Sequence, residues 1–220
     1  MRRARTGDTS SSPVARGWTS PLLAVLSLVA AAILAGVAAD LLSGGLLVTW
    51  DGEVGAKLPM PKPSAMTSFF EVVTWAGNAF VLAGLATVAG IWFMQRGQPA
   101  RAGLILAGVF AAEAIAVTLK VALHNVHPNS HAFPSGHTAG AAATYGILLY
   151  LAARRRSSVV RVVAALMFVV LVALVAFSRL YLHVHYLSDV LAGTALGVAV
   201  AAAGLCVYEL GVWQKAAERR

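Results

Sequence analysis

All six histidines of this 220-residue chain fall in two short windows, 124–137 and 183–185. Lys120 precedes the first window, which closes on Pro134-Ser135-Gly136-His137. Ser178-Arg179 precedes the second, and Asp189 follows His185 at a four-residue spacing. Imidazole changes charge near neutral pH. A cluster of it beside fixed cations and one carboxylate therefore points to acid–base or nucleophilic chemistry on an anion.

The spacings sharpen this. Residues four apart share a helix face, so His185 and Asp189 touch if a helix begins there. A carboxylate bonded to one imidazole nitrogen fixes the tautomer and turns the other nitrogen's lone pair outward, which makes His185 a nucleophile or general base. The plainer reading is an acid near a helix start, where acids are common. Lys120, His124 and His127 stack at i, i+4 and i+7, and three such groups repel unless an anion sits among them. Gly136 lets the backbone approach a ligand, and free N–H groups at a helix start favour an oxyanion. Ser135 adds a hydroxyl donor, and His137 is placed to protonate a leaving oxygen. Arg179 closes an apolar run, where snorkelling to the interface explains it equally well. Glu113 lies seven residues before Lys120 on the same face and reads as a structural partner or a protonated acid rather than a catalyst.

Helices crossing a membrane must position these groups. Hydrophobic residues make up 59% of the chain and charged residues 12%, about half the charge of a soluble domain. The fold expected is all-α, an integral membrane bundle of about six transmembrane helices near 22–43, 72–94, 101–122, 137–153, 160–181 and 189–211. This divides the chain into a cytoplasmic segment 1–21, a membrane domain 22–211 and a cytoplasmic tail 212–220. The basic start and Val37-Ala38-Ala39 resemble a signal peptide, but the long apolar stretch favours an uncleaved first span. Thirteen of 17 Lys and Arg residues lie at 2–16, 96–101, 154–161 and 215–220. Six spans bring all four segments to one side, cytoplasmic by the positive-inside rule. The net charge of +8 is thus topology rather than a nucleic-acid footprint. The loops 44–71, 123–136 and 182–188 then face outward, and the last two gather every histidine. The first, with Asp51, Glu53, Lys57, three prolines and Phe69-Phe70, is either an interfacial lip over the site or a plain connector. Cys206, the single cysteine, excludes an internal disulfide and a cysteine-rich zinc site.

Taken in order, the three blocks are far more specific. Lys120, six residues, then His127-Pro128; Pro134-Ser135-Gly136-His137; and Ser178-Arg179, five residues, His185, three residues, Asp189. This resembles the signature of the type 2 phosphatidic acid phosphatase family, relatives of the vanadium haloperoxidases. The run from Ser188 to Gly193 is similar as well. The resemblance implies a metal-independent integral-membrane phosphatase of the plasma membrane, without cofactor, working through a phosphohistidine on the extracytoplasmic side. His185 would attack phosphorus, Asp189 would orient it, and His137 would protonate the leaving oxygen. Lys120, His127, Ser135, Gly136 and Arg179 would hold the phosphate. The implied partners are a lipid phosphate and membrane lipids, with the oligomeric state open. The substrate candidates are polyprenyl diphosphate, towards which the short outer loops lean, phosphatidic acid and phosphatidylglycerol phosphate. The competing readings are a phosphotransferase or substrate-binding pseudo-enzyme of the same fold, and a histidine-rich metal transporter. The last is disfavoured because its windows carry only one carboxylate beside Lys and Arg. His124, His131 and His183 fall outside the signature and read as supporting or loop residues rather than substrate contacts.

The signature ordinarily carries arginine where this chain has His127. Imidazole lacks the permanently charged, bidentate fork of guanidinium. If His127 contacts phosphate, it helps fully only when protonated, and neighbouring cations resist that protonation until an anion arrives. The Michaelis constant should therefore rise with pH above the mildly acidic range. His127→Arg should flatten that dependence while leaving turnover similar, as measured by steady-state kinetics from pH 5 to 8. Turnover lost at every pH would instead make His127 more than a weaker arginine.

Overall fold

The computed structural model describes residues 19–58, 60, 62–123 and 133–217. Among these the chain forms eight helices: α1 Thr19–Leu42, α2 Leu46–Lys57, α3 Ala65–Trp75, α4 Ala79–Gln95, α5 Pro99–Ala122, α6 Gly136–Ala153, α7 Ser158–Tyr181 and α8 Leu187–Ala217. Four of them, α1, α5, α7 and α8, are each long and apolar enough to cross a bilayer. Helices α3 and α4, bent by 48° at their junction, pass the same test only as a pair. The sixth bundle helix is α6, whose 18 residues reach about 27 Å. It faces protein rather than lipid along its first half: Thr138 through Thr144 are all buried. In α1 and α7, by contrast, large apolar side chains such as Leu28, Ile33, Val159 and Leu166 are exposed, the surface that lipid covers.

Local chemistry sets the boundaries. Gly44 ends α1 at φ +67, a conformation that glycine alone adopts freely. The Asp40 carboxylate then accepts from the amides of Leu46 and Leu47 at 3.2 and 2.8 Å, capping α2. The break between α3 and α4 falls inside the span expected at 72–94. Asn78 accepts from the Phe80 amide at 2.9 Å and starts a new helix. Gly77 beside it packs on α6, where a Cβ would lie 2.9 Å from the His137 carbonyl oxygen. Pro99 opens α5, a position where its missing N–H costs nothing. The last helix runs six residues past the expected end at 211, to Ala217.

Helices α6 and α8 meet at unusually short range. A Cβ on Gly193 would collide with the Ser135 carbonyl oxygen and Thr138 Oγ1, and one on Gly197 with the Ala139 carbonyl oxygen. Small residues four apart let two membrane helices approach backbone to backbone. At the far end of the same helices, Arg154 binds Glu209 at 2.6 Å, both nearly buried. Tyr150 donates to that carboxylate at 3.1 Å, and Arg101 donates to Tyr208 at 3.0 Å. One of the arginines that biases the charge distribution is therefore also an internal fastener.

The segment 44–71 is more than a connector. It contains α2, whose Asp51 is 2% exposed and accepts from the Ser188 amide at 2.9 Å and the Ser188 hydroxyl at 2.6 Å. Helix α3 follows, packing on α7 through Phe70, whose ring lies 5.2 Å from Phe177 and 4.6 Å from Tyr181. Asp51 thus fastens the first loop to the start of α8. Asp51→Ala leaves two buried Ser188 donors unpaired and should cost about 1–3 kcal/mol, read as a lower thermal midpoint in detergent. Ser188→Ala added to it should cost far less than in the wild-type background, the mark of a directly coupled pair.

Candidate active site

The site is built where α5 ends and α6 and α8 begin. Ser135 caps α6 and is wholly buried. Its amide donates to the Asp189 carbonyl oxygen at 3.0 Å, while the first intrahelical bond runs from the Ala139 amide to the Ser135 carbonyl oxygen. Thr138 Oγ1 donates across the same junction, 3.1 Å from the Ser135 and 3.3 Å from the Val190 carbonyl oxygens. The amides of Gly136 and His137 thus stand at the open end of a helix, where an oxyanion binds. The Ser135 hydroxyl is buried with no hydrogen-bond partner among the described residues.

Asp189 lies in the first turn of α8, fully buried. One carboxylate oxygen, Oδ2, accepts from the Tyr186 amide at 3.0 Å and sits 3.1 Å from His185 Nδ1. The contact expected from the four-residue spacing is therefore made, and the plainer reading also holds, since the same oxygen caps the helix. An accepting carboxylate there requires Nδ1 to carry the ring proton, leaving Nε2 with a lone pair. Burial pushes the His185 imidazole below its ordinary range; the Asp189 hydrogen bond and charge oppose this, and Arg179 and Lys120 reinforce it. Burial therefore favours the neutral ring.

The turn that presents His185 has its own logic. The His183 amide donates to Leu180 and the Val184 amide to Arg179, at 3.0 and 3.2 Å. His183 sits between them at φ 53. This is the left-handed closure of a helix C-terminus, usually made by glycine. Its backbone role accounts for His183 as a loop residue. The same turn fixes Arg179, whose Nη1 donates to Thr74 Oγ1 at 2.8 Å and whose Nε is buried with no partner among the described residues. Thr74 reaches the site from α3, 105 residues away in sequence.

The structure brings together Lys120, Ser135, Gly136, His137, Arg179, His185 and Asp189. Lys120 lies within reach of the charges of Asp189, Glu113 and Arg179, and His137 within reach of those of Arg179 and Lys120. Glu113 packs against α6, where a Cβ on Gly136 would lie 3.5 Å from its Oε2 and one on Gly140 would collide with Oε1. His124, His127 and His131 lie outside the described residues. Among the described residues, no three His, Cys, Asp or Glu side chains are grouped to share a metal ion. Sequence reasoning missed two supports, Thr74 and the Asp51–Ser188 pair. Each acts through one distant side chain and leaves no local pattern, Asp51 standing in a loop that also carries Glu53 and Lys57.

Over 79 residues the chain is 37% identical to phosphatidylglycerophosphatase B of Bacillus subtilis (strain 168), covering 33% of this chain and 37% of that protein. Over 65 residues it is 45% identical to an uncharacterized 22.5 kDa protein in the cps region of Klebsiella pneumoniae, covering 30% and 31%. The matched stretches thus span about a third of each curated relative. The fold is similar to the crystal structure of a transmembrane PAP2-type phosphatidylglycerolphosphate phosphatase from Bacillus subtilis, with a TM-score of 0.59 at 22% identity over 92% of this chain and 96% of that one. It is also similar to Aquifex aeolicus LpxE, with a TM-score of 0.54 at 17% identity over 73% and 95%. The model of the PAP2 superfamily matches residues 72–212, a stretch that runs from α3 through α8 and holds every site residue except Asp51; the chain belongs to the PAP2 superfamily.

Proposed function

We propose that the chain is an integral-membrane phosphatase that hydrolyses a lipid phosphate or diphosphate through a phosphohistidine. The observation that carries this reading is the buried His185–Asp189 pair at 3.1 Å, set where α8 begins against the N-cap of α6, with the Ser135 amide donating to the Asp189 carbonyl oxygen. Family membership and the similarity to phosphatidylglycerophosphatase B support it. The basic segments 96–101 and 154–161, which lie at the helix ends opposite His137 and Lys120, support an extracytoplasmic site in a plasma membrane.

The chemistry follows from the geometry. Lys120, Arg179, the Ser135 hydroxyl and the Gly136 amide hold the non-bridging oxygens, with His127 as a further contact from the loop. His185 Nε2 forms a bond to phosphorus as the bond to the leaving oxygen breaks, and His137 gives that oxygen a proton. The freed alcohol departs. His137, now neutral, takes a proton from water as the water oxygen attacks phosphorus and the P–N bond breaks. Inorganic phosphate leaves and His185 is restored. Splitting the displacement in two, with preorganised donors against the pentavalent charge, lowers each barrier.

Purified protein in detergent should release phosphate from a panel of lipid phosphates, survive excess chelator and be inhibited by vanadate. His185→Ala should lower kcat by about a thousandfold or more, the usual scale for losing a nucleophile. Because burial holds His185 neutral, the acidic fall in kcat/KM should lie below pH 6.5, at a pH under the ordinary histidine range. Activity restored by zinc or magnesium after chelation, or an acid-quenched phosphoenzyme that persists in His185→Ala, would overturn the mechanism.

A further inference from the structure

A second feature opens beside His137 and is used by none of the groups that hold the phosphate. Glu71, Thr74 and Trp75, at i, i+3 and i+4 on α3, join Asn78 and His137 around an open cavity of about 390 Å³. Its position is fixed on two sides. Thr74 is bonded to Arg179 at 2.8 Å, and Gly77 packs against His137, with room for no Cβ. The cavity therefore keeps a constant relation both to the guanidinium that faces phosphate and to the imidazole that protonates the leaving oxygen. Asn78 spends its carbonyl oxygen on the Phe80 amide, so the group it offers the cavity is its N–H2, a donor. Glu71 is exposed, and among the described residues it forms no ion pair. It also lies just outside the stretch matched by the superfamily model.

Resting on the phosphatase reading, we infer that this cavity receives the leaving group and that Glu71 selects its charge. Cations converge where the transferred phosphoryl group lies, whereas the wall beside the proton donor carries a carboxylate. A hydroxyl near the bridging oxygen, as in a glycerol unit, would donate to Glu71 and accept from Asn78. An ammonium group would pair with Glu71 directly. A second phosphate at that position would meet like charge. The substrate class is thus a phosphate monoester whose alcohol is neutral, hydroxylated or cationic next to the bridging oxygen, and a diphosphate is disfavoured. This narrows the candidates away from polyprenyl diphosphate, towards which loop length alone leans.

Farnesyl phosphate and farnesyl diphosphate provide the test, since they share one tail and differ only in whether farnesol or farnesyl phosphate departs. Phosphate release from both is measured with the purified full-length chain in detergent, as wild type, Glu71→Gln and Glu71→Lys. Leaving-group acidity favours the diphosphate in every variant, so the readout is the change in the ratio of the two kcat/KM values. Glu71→Gln should raise the ratio of diphosphate to monophosphate about fivefold, the scale of one screened charge contact. Glu71→Lys should raise it further. Equal effects on both substrates, or a ratio that does not move, overturn the inference while leaving the phosphatase reading standing. A wild-type protein that releases phosphate from neither substrate, nor from phosphatidic acid, overturns both.

Discussion

The amide of Ser135 donates to the carbonyl oxygen of Asp189 across 3.0 Å, and the whole site is placed relative to that bond. It joins the first turns of two helices more than fifty residues apart, so two of the three sequence blocks become one surface. The approach is possible only because Gly193 presents no side chain to the Ser135 carbonyl and Thr138. Thr138 then satisfies its hydroxyl on both sides of the seam. Within a bilayer such satisfaction is mandatory, because no water reaches the backbone groups that a helix start leaves open. The open amides are retained only where they face the anion site.

Polarity is distributed along the bundle accordingly. One end carries Lys120, Arg179, His137 and His185, with the Asp189 carboxylate taken up by His185 and the Tyr186 amide rather than by either cation. The other carries Arg154, Glu209, Tyr150, Tyr208 and Arg101, where acid and base are matched at 2.6 Å and the hydroxyls complete the network. A matched network contributes rigidity and demands nothing of a ligand. An unmatched one is stabilised when an anion arrives. The contrast separates the end that fastens the helices from the end that does chemistry.

Much of this was legible in the residues. Long apolar runs marked α1, α5, α7, α8 and the bent α3–α4 pair, and the short fourth run at 137–153 corresponds to α6, whose small residues are buried. The four-residue spacing of His185 and Asp189 foretold their contact because helix geometry is local. What could not be read depended on distance or on backbone shape. The kink at residues 76–78 follows from how Gly77 meets α6, and the span at 72–94 carried no sign of that neighbour. Asp51 and Thr74 act 137 and 105 residues away from their partners, farther than any periodic pattern reaches. His183 was legible as a loop residue, since it falls outside the signature, but its backbone angle of φ 53 was not.

The doubled use of Asp189 Oδ2, as acceptor for the Tyr186 amide and as partner of His185, has a bearing on how lineages of such proteins are interpreted. A descendant that gave up catalysis would still need that oxygen to start its last helix, so the carboxylate would outlive the activity. His185 has no comparable architectural duty, since it lies in the turn before the helix and, among the described residues, closes no backbone bond with its ring. Erosion of function should be recorded first at the histidine, and a surviving aspartate by itself is a record of folding.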